Sequence, residues 1–286
     1  MRVSANRKAE LLVENIRVNI ILFLTLEYFS TFEVSTHCGK SIKVTLGSYF
    51  MKTTYMAKTI PRLPLSESYR KSTRELVGLQ LWRGAFLLAD YICEYPQLFE
   101  SKNVLELAAG TGLTSIVAAN WAKKVLCTDV DLGEILNLIR RNFALNEHDL
   151  EADCDVREID FFRTDWKTKL TSDLRNIDTI LVADVIYNEE ITKSFVNVLE
   201  ELVTNFCDKG VTIYIAMEKR LRLNSEGEIV APSYEVFMDC MKCFLKKNPS
   251  CDMQNVDLKF PQYFKQHYAR VDELVMFKIE CLKIIQ

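Results

Sequence analysis

The stretch from residue 103 to residue 113, Asn-Val-Leu-Glu-Leu-Ala-Ala-Gly-Thr-Gly-Leu, decides the fold. Its first five residues predict a short apolar strand. Gly110 and Gly112 then allow the backbone to turn tightly and let a ligand approach it closely. A helix after such a turn presents unpaired backbone N–H groups at its first residues. The stretch therefore predicts a strand-to-helix loop, and such a loop serves a dinucleotide, a phosphate or nothing but a tight turn.

The regular part of the sequence begins at Val77, after a part with irregular, β-rich runs. Its patterns predict helices at 79–95, 111–122, 132–146, 189–206 and 234–246, and strands at 103–107, 124–128, 156–160, 177–183, 211–217, 256–260 and 274–284. Strands that alternate with helices predict an α/β fold with a doubly wound, mostly parallel sheet. The last two strands leave no room for a long helix between them and predict an antiparallel edge. We therefore expect a β-rich N-terminal extension at 1–76 and one domain at 77–286.

The composition excludes several classes of protein. The chain has 286 residues, of which 49% are hydrophobic and 26% charged, as in soluble globular proteins. A net charge of −3 argues against a protein held on DNA by bulk charge, so we expect no direct nucleic-acid binding. Only three histidines are present, which excludes a histidine-rich metal centre, and we predict no metal.

The cysteines and one apolar run bear on the compartment. Nine cysteines, an odd number in a long chain, predict reduced thiols in an intracellular protein. Cys240 and Cys243 are the close pair, and no second pair completes four zinc ligands. Residues 18–26 are strongly apolar but too short to span a bilayer, and no small-residue cleavage site follows them. We expect a buried strand or short helix there, and no membrane contact.

Two carboxylates narrow the choice of ligand at the glycine loop. Glu106 lies at the end of the first strand, where it would repel the pyrophosphate of a dinucleotide and favour a ligand with a free amine. Asp129 ends the second strand, where a carboxylate suits the two hydroxyls of a ribose. A ribose with a positively charged, phosphate-free remainder describes S-adenosylmethionine. Alternatively, each carboxylate is a solvated loop residue.

Residues 106–112 resemble the E-x-G-x-G-x-G motif of seven-strand (class I) methyltransferases. A longer pattern resembles the family of methyltransferase-like protein-lysine methyltransferases, also called family sixteen. The segments that carry it are Gly78 to Ala85, Val104 to Leu113, Thr128-Asp129, Asp165-Trp166, Ala183 to Tyr187 and Glu218 to Arg220. The resemblance covers about residues 77–285. It implies a seven-stranded, Rossmann-like methyltransferase fold and an S-adenosylmethionine-dependent protein-lysine N-methyltransferase that acts on a non-histone protein.

The resemblance also implies roles for individual residues. The cofactor-binding residues are Trp82, Glu106, Ala108, Ala109, Gly110, Thr111, Gly112, Asp129, Asp165, Trp166 and Ala183. Among them, Trp82 is expected near the methionine part of the cofactor, and Trp166 near the adenine with Asp165 available to its amino group. Asp184 and Tyr187 form the Asp-x-x-Tyr motif and are the predicted catalytic residues, placed at the target lysine. Two core tryptophans are the alternative for Trp82 and Trp166.

The chemistry of lysine methylation accounts for an acid and an aromatic residue at that position. A lysine amine with a pKa of about 10.4 is only about 0.1% neutral near pH 7.4, and only the neutral amine attacks a methyl group. Asp184 can orient the incoming ammonium, and an aromatic face can pack against it. Because the carboxylate also raises the pKa of the amine, we do not assign it the role of a strong base. The alternative for Asp184 is an N-cap of the helix that begins near Glu189. Residues 218–220 either shape the substrate channel or are a solvated charge run.

One position departs from the family pattern, because Ala108 stands where the family has its first loop glycine. An added methyl group that clashed with the cofactor would leave a catalytically silent binding module. A second alternative is an NAD-dependent oxidoreductase, since Gly110, Gly112 and Ser115 mimic a dinucleotide loop, although Glu106 disfavours it. Methylation of nucleic acid is disfavoured because residues 184–187 lack the Asn/Asp-Pro-Pro-Tyr/Phe type of motif. We expect a monomer in the nucleus or cytoplasm whose partner is a protein that presents a lysine.

Overall fold

The computed structural model describes the backbone of residues 29–35 and 41–47, and the full residues 77–207 and 209–282. Strands β1 (Phe29–Ser35) and β2 (Ser41–Gly47) pair with each other as an antiparallel hairpin and form a sheet of their own. The apolar run at 18–26 lies outside the described residues. No helix in the described ranges is long and apolar enough to cross a membrane.

Helices and strands alternate through the rest of the chain, as predicted. The helices are α1 (Arg83–Glu94), α2 (Leu113–Ala118), α3 (Ile135–Asn146), α4 (Trp166–Lys169), α5 (Thr171–Leu174), α6 (Glu189–Asn205) and α7 (Pro232–Lys247). The strands are β3 (Asn103–Leu107), β4 (Lys124–Asp129), β5 (Asp153–Glu158), β6 (Thr179–Ala183), β7 (Val211–Glu218), β8 (Arg222–Leu223), β9 (Ile229–Val230), β10 (Cys251–Asn255) and β11 (Leu274–Cys281). The short elements α4, α5, β8 and β9 are too brief for a periodic pattern, and the sequence did not predict them.

Seven strands form one sheet in the order β10-β11-β7-β6-β3-β4-β5. Strands β7, β6, β3, β4 and β5 are parallel neighbours, and β11 runs antiparallel between β7 and β10. The predicted doubly wound sheet with an antiparallel edge is confirmed. From β3 the chain continues to β4 and β5, which lie on one side of β3, and then crosses over to β6, which lies on the other side. Strand order therefore reverses between β3 and β6, and this switch point is where sheets of this kind bind ligands.

The predicted strand at 256–260 is wrong, because the strand that pairs with β11 lies five residues earlier. Residues 257–272 instead form a loop tied to α1. The Arg270 guanidinium donates to the carbonyl oxygens of Leu258 (2.6 Å) and Phe260, which removes those groups from strand pairing. The same guanidinium lies 3.0 Å from the buried carboxylate of Asp90 on α1. The Asp90 carboxylate also accepts the backbone N–H groups of Tyr263 and Phe264, so one buried acid fixes the loop to the helix.

The expectation of reduced thiols is wrong for one pair of cysteines. Cys251 and Cys281 lie directly opposite each other on β10 and β11 and are joined by a disulfide. They are 30 residues apart in sequence, so only the register of the two strands reveals the pairing. Cys240 and Cys243, the close pair in sequence, are both free.

Candidate active site

The glycine loop between β3 and α2 has a left-handed backbone at three positions. The φ angles are 52° at Ala108, 57° at Gly110 and 79° at Gly112. Glycine adopts this region freely, whereas a side chain there is strained. The loop is nevertheless held in place, since Ala109 donates its N–H to the carbonyl of Thr128 at 2.9 Å and Gly112 donates to Ala109 at 2.9 Å. The carbonyl of Thr111 accepts the side-chain amide of Asn142 at 2.8 Å.

Glu106 lies completely buried beneath this loop. Its Oε2 accepts both the backbone N–H (2.8 Å) and the hydroxyl of Ser115, in the first turn of α2. Its Oε1 is buried and has no hydrogen-bond partner among the described residues. Burial raises the pKa of Glu106 to about 7, and the lowering effects of Ser115 and of the nearby Thr114 hydroxyl offset only part of that rise. A buried carboxylate with one unused oxygen is a group ready to accept a hydrogen bond from a cationic ligand.

Asp129, at the end of β4, is bonded directly to the loop. Its Oδ2 accepts the N–H of Gly110 at 2.7 Å, and its Oδ1 accepts the N–H of Val130 at 2.7 Å. Burial raises its pKa to about 6, against the lowering effect of these two bonds. A carboxylate oxygen can accept more than one hydrogen bond, so Asp129 retains capacity for the hydroxyls of a ribose.

The segment before α1 passes over the glycine loop. A Cβ added to Gly110 would lie 3.2 Å from the carbonyl oxygen of Gly78, which shows how closely the two backbones approach. The indole N–H of Trp82 donates to the carbonyl of Val77 at 3.0 Å and closes this segment on itself. Trp82 is half-buried just before α1, and the Arg220 guanidinium lies 4.9 Å from the centre of its ring.

A second group of side chains lies at the ends of β6 and β7. We call it the strand-end cluster, and it comprises Trp82, Arg83, Asp184, Glu218 and Arg220. Asp184 adopts a left-handed backbone, with a φ of 55°, and its side chain is only 2% exposed. Its Oδ2 accepts the N–H of Gly84 in the first turn of α1, and its Oδ1 accepts the N–H of Glu218 at 2.9 Å. Burial raises the pKa of Asp184, while these N–H groups and Arg220 act in the opposite direction.

Arg220 connects the members of the strand-end cluster. Its guanidinium lies 3.4 Å from Asp184 and 3.0 Å from Glu218, and it stacks 4.9 Å from the centre of the Trp82 ring. Arg83 adds a 2.6 Å ion pair to Glu218. Residues 218–220 are therefore not a solvated charge run. The sequence carried no signal for the partners of Arg220, because its closest contacts come from three separate segments.

The alternative in which Asp184 caps the helix near Glu189 is wrong. Asn188 caps α6, since its side chain accepts the N–H groups of Glu190 (3.0 Å) and Ile191 (3.1 Å). Asp184 satisfies an N–H at the start of α1 instead. Tyr187 lies between these two residues and is 42% exposed, so it is the member of the Asp-x-x-Tyr motif that a large substrate can touch.

Asp165 and Trp166 lie beyond the end of β5. They line a cavity of about 180 Å³ together with Lys169 and four other residues. Trp166 is buried and donates its indole N–H to the carbonyl of Arg163 at 2.9 Å, so it is a core tryptophan that also lines the cavity. The Asp165 carboxylate accepts from Lys169 (2.6 Å) and Arg163 (2.8 Å), and Lys169 in particular lowers its pKa. Their role at an adenine stays a prediction.

Strand order brings the two groups together. Leu107 and Val182 are paired in β3 and β6, so Ala108 and the half-buried Ala183 follow at the same edge of the sheet. The glycine loop with Glu106 and Asp129 thus lies beside the strand-end cluster, across the switch point.

Gly84 belongs to this site although the sequence analysis gave it no role. A Cβ there would lie 2.6 Å from Asp184 and 2.8 Å from the backbone oxygen of Ala216, so glycine is required for the close packing.

The strand order and the carboxylate-bearing glycine loop define a seven-stranded methyltransferase domain of Rossmann-like fold. A family model described as "Lysine methyltransferase" matches residues 64–242, and the chain belongs to that family. The resemblance predicted from the sequence is thereby confirmed.

Individual proteins are also similar to the chain. Methyltransferase-like protein 22 from Homo sapiens is 34% identical over 224 residues, which are 72% of this chain and 54% of that protein. Protein-lysine N-methyltransferase EEF2KMT from Homo sapiens is 30% identical over 58% of this chain and 53% of its own length. The solved O-methyltransferase from Bacillus cereus in complex with SAH gives a TM-score of 0.46 at 12% identity, over 82% of this chain and 97% of that chain. The chain spans about half the length of the curated relatives it matches.

The residues of the loop fit the predicted cofactor, S-adenosylmethionine. The loop carries no basic residue that would serve a pyrophosphate. It holds instead the unpaired Oε1 of Glu106, which suits a cationic group, and Asp129, which suits a ribose. This donor set disfavours the oxidoreductase alternative.

The substitution Gly84→Ala should destabilise the protein by about 1–3 kcal/mol, because the new methyl group would overlap a backbone oxygen and a buried carboxylate. Urea denaturation followed by circular dichroism measures the change. Gly78→Ala is the control, since its nearest neighbour is the terminal methyl of Ile135, which can rotate away. Equal stability of wild type and Gly84→Ala would contradict the close packing of α1 on Asp184.

Ala108→Gly should raise the free energy of unfolding by up to about 1 kcal/mol, because glycine removes strain at a φ of 52°. Ala144→Gly is the matched control. It makes the same change at an exposed position within α3 and should cost about 1 kcal/mol. A gain in the free energy of unfolding for Ala108→Gly and a loss for Ala144→Gly, in the same denaturation experiment, would show that the backbone at Ala108 is strained. A loss of stability in both would argue against it.

Glu106→Gln should change how stability depends on pH. The pKa of Glu106 is raised from 4.5 to about 7, so between these values the native state holds a proton that the unfolded chain has lost. The free energy of unfolding of the wild type therefore falls as pH rises through this window, by about 3 kcal/mol from this group. Glutamine cannot ionise, so the variant should gain about that amount relative to wild type between pH 4.5 and pH 8. The exposed Glu100→Gln should show no such gain, and parallel pH curves for Glu106→Gln and wild type would refute the assignment.

Proposed function

We propose that this protein is an S-adenosylmethionine-dependent protein-lysine N-methyltransferase that modifies a non-histone protein. The observation that carries the proposal is the position of the glycine loop beside the strand-end cluster. The strand ends at this loop offer two buried carboxylates, Glu106 and Asp129, to a cationic, ribose-bearing cofactor. The neighbouring strand end offers Tyr187 at the surface, where a protein side chain can reach. Membership of the lysine methyltransferase family supports the reaction.

The cofactor side of the reaction depends on binding and orientation. S-adenosylmethionine, when bound, supplies an electrophilic methyl group on a sulfonium. Glu106 would bind the amine of the cofactor and Asp129 its ribose hydroxyls. Glu106 is held in place by the backbone N–H of Ser115 in α2, and Asp129 by the backbone N–H of Gly110 in the loop. The segment at 77–82 lies close against the loop, since a Cβ on Gly110 would be 3.2 Å from the carbonyl oxygen of Gly78.

On the lysine side, Asp184 acts through its neighbours as well as through its charge. It fixes the start of α1 and the end of β7, and both carry side chains of the strand-end cluster. Tyr187 presents its ring to the incoming side chain. The Arg220 guanidinium already rests against Asp184 and Trp82, so the lysine enters beside a cation and is favoured in its neutral, reactive form. The lysine is then aligned for in-line attack.

A second candidate function, a catalytically silent binding module, is favoured by one observation. The methyl group of Ala108 lies within the left-handed part of the loop, where the family pattern has glycine. A methyl group that excluded the cofactor would leave the fold and remove the chemistry. Binding of S-adenosylmethionine, measured by calorimetry, separates the two candidates. Asp129→Ala should weaken that binding about tenfold or more, through lost charge-assisted hydrogen bonds.

The reaction itself is tested by incubating the protein with labelled S-adenosylmethionine and a cell extract. Digestion and mass spectrometry of the labelled proteins should identify methyl-lysine. Labelled proteins other than histones support the proposed substrate class, and fractionation into nuclear and cytoplasmic extracts tests the expected compartment. Cofactor binding without any transfer supports the silent module.

Tyr187→Ala should reduce transfer by roughly tenfold to a hundredfold and leave the affinity for S-adenosylmethionine unchanged. Leu145→Ala is the control, because Leu145 is equally exposed, at 43%, but lies on α3. Asp184→Asn should also reduce transfer, since an amide cannot accept both backbone N–H groups and the Arg220 guanidinium, so the start of α1 and the end of β7 lose their common anchor. Its thermal stability is compared in parallel, because the amide cannot accept all the hydrogen bonds that Asp184 accepts. Wild-type transfer by both variants would contradict the assigned roles.

A further inference from the structure

The segment that follows β7 projects an apolar surface next to the proposed lysine site. We call residues 219–231 the arm, and its strands β8 and β9 pair in antiparallel fashion. Leu223 and Ile229 are directly opposite each other and are each 70% exposed. Leu221 directly precedes β8 and is 47% exposed. Leu223 and Ile229 thus share one outward surface, and Leu221 adds a third exposed apolar side chain close by in the chain, which is unusual for an ordinary solvated hairpin.

The opposite side of the arm faces the body of the protein. Arg222 alternates with Leu223 in β8, and its guanidinium lies 3.5 Å from Glu189 in the first turn of α6. The ion pair directs that side of the hairpin toward the helix that follows Tyr187. Leu223 and Ile229 are therefore on the side of the hairpin that is turned away from that helix.

The arm is held in a defined shape. At its tip, the side chain of Asn224 accepts the N–H groups of Glu226 and Glu228, each at 2.9 Å. At its base, Lys219 donates its N–H to Glu273 at 3.0 Å and places its ammonium 4.6 Å from the centre of the Tyr234 ring. A surface that is already ordered loses little conformational entropy when it binds, which favours recognition.

The apolar surface is continuous with the strand-end cluster. Leu221 directly follows Arg220, which contacts Asp184 and Trp82. On the other side, Glu189 joins the arm to the turn that carries Tyr187. A polypeptide that brings a lysine to Tyr187 therefore has the arm beside it.

The charges around the arm indicate what kind of polypeptide fits. Arg220 and Arg222 each lie against acidic partners within the protein. The third basic side chain of the arm, Lys219, lies over the Tyr234 ring. Glu190, Glu226 and Glu228 are exposed, so the three acids outnumber the one basic group, Lys219, that lies against a ring rather than an acid. An apolar surface bordered by acidic groups suits a segment that has both apolar and basic residues. A second copy of this chain fits less well, since three side chains offer far less than the roughly 800 Å² per partner of a stable interface.

We propose that the arm docks an extended segment of the substrate protein, with apolar and basic residues flanking the target lysine. This proposal rests on the proposed function and adds a determinant of substrate choice. Leu221, Leu223 and Ile229 would contact the apolar side chains of that segment. The acidic groups would attract its basic residues.

The test uses the full chain carrying Leu223→Ser and Ile229→Ser together. The matched control is Leu282→Ser, because Leu282 is 72% exposed and lies far from the arm. It follows β11, whose last residue, Cys281, pairs with Val211 at the start of β7, whereas the arm follows the end of β7. The substrates are synthetic peptide pools with a central lysine whose flanking positions are either apolar or serine, together with the cell extract. Calorimetry with S-adenosylmethionine and thermal melting are run on every variant.

We expect wild type and Leu282→Ser to prefer the apolar pools about tenfold or more, and the double variant to lose that preference. The double variant should also label extract proteins less at limiting extract, with unchanged cofactor affinity and melting temperature. Equal transfer by wild type and double variant would overturn the proposal while leaving the proposed function intact. A wild type that binds cofactor but labels nothing would instead refute the proposed function, and this proposal with it. A dimer in sedimentation that the double variant dissociates would assign the surface to a second copy and likewise overturn the proposal.

Discussion

The carboxylate of Asp184 is the point on which the site depends. It accepts backbone N–H groups from α1 and from the end of β7 while sitting at the end of β6 itself. Three elements that are far apart in sequence are joined through one buried acid. The absence of a Cβ at Gly84 lets them approach, and Arg220 and Glu218 then assemble around the same carboxylate. A buried charge with this many donors is costly to break, since any lost partner leaves an unsatisfied group in the interior.

The sequence was sufficient for those features that are periodic or local. Alternating strands and helices predicted the doubly wound sheet and its antiparallel edge, and Glu106 and Asp129 were placed at the correct strand ends. Features set by long-range geometry could not be predicted in this way. Gly84 and Asp184 are 100 residues apart, and Cys251 and Cys281 are paired only through strand register. The strand expected at 256–260 failed for the same reason, because the distant Arg270 binds two of its carbonyl groups.

Ala108 illustrates an intermediate case. The sequence identified it as a departure from the family pattern, but the consequence depends on the backbone. A φ of 52° shows that the chain retains the glycine-like conformation and accepts the strain of a side chain there. The loop keeps that shape because the two residues after Ala108 are both held by their backbone N–H groups. Ala109 donates to the carbonyl of Thr128, and Gly110 donates to the carboxylate of Asp129. The surrounding bonds, more than the local residue, determine the conformation.

The pKa of Glu106 has a consequence for the proton balance of the site. Because this pKa is about 7, the free protein near neutral pH is a mixture of molecules with and without a proton on the Glu106 carboxyl group. Any cation that settles against the unpaired Oε1 stabilises the ionised form and expels the proton. Occupation of the site near neutral pH would then release a fraction of a proton into the solvent. The heat of occupation would consequently vary with the ionisation enthalpy of the buffer.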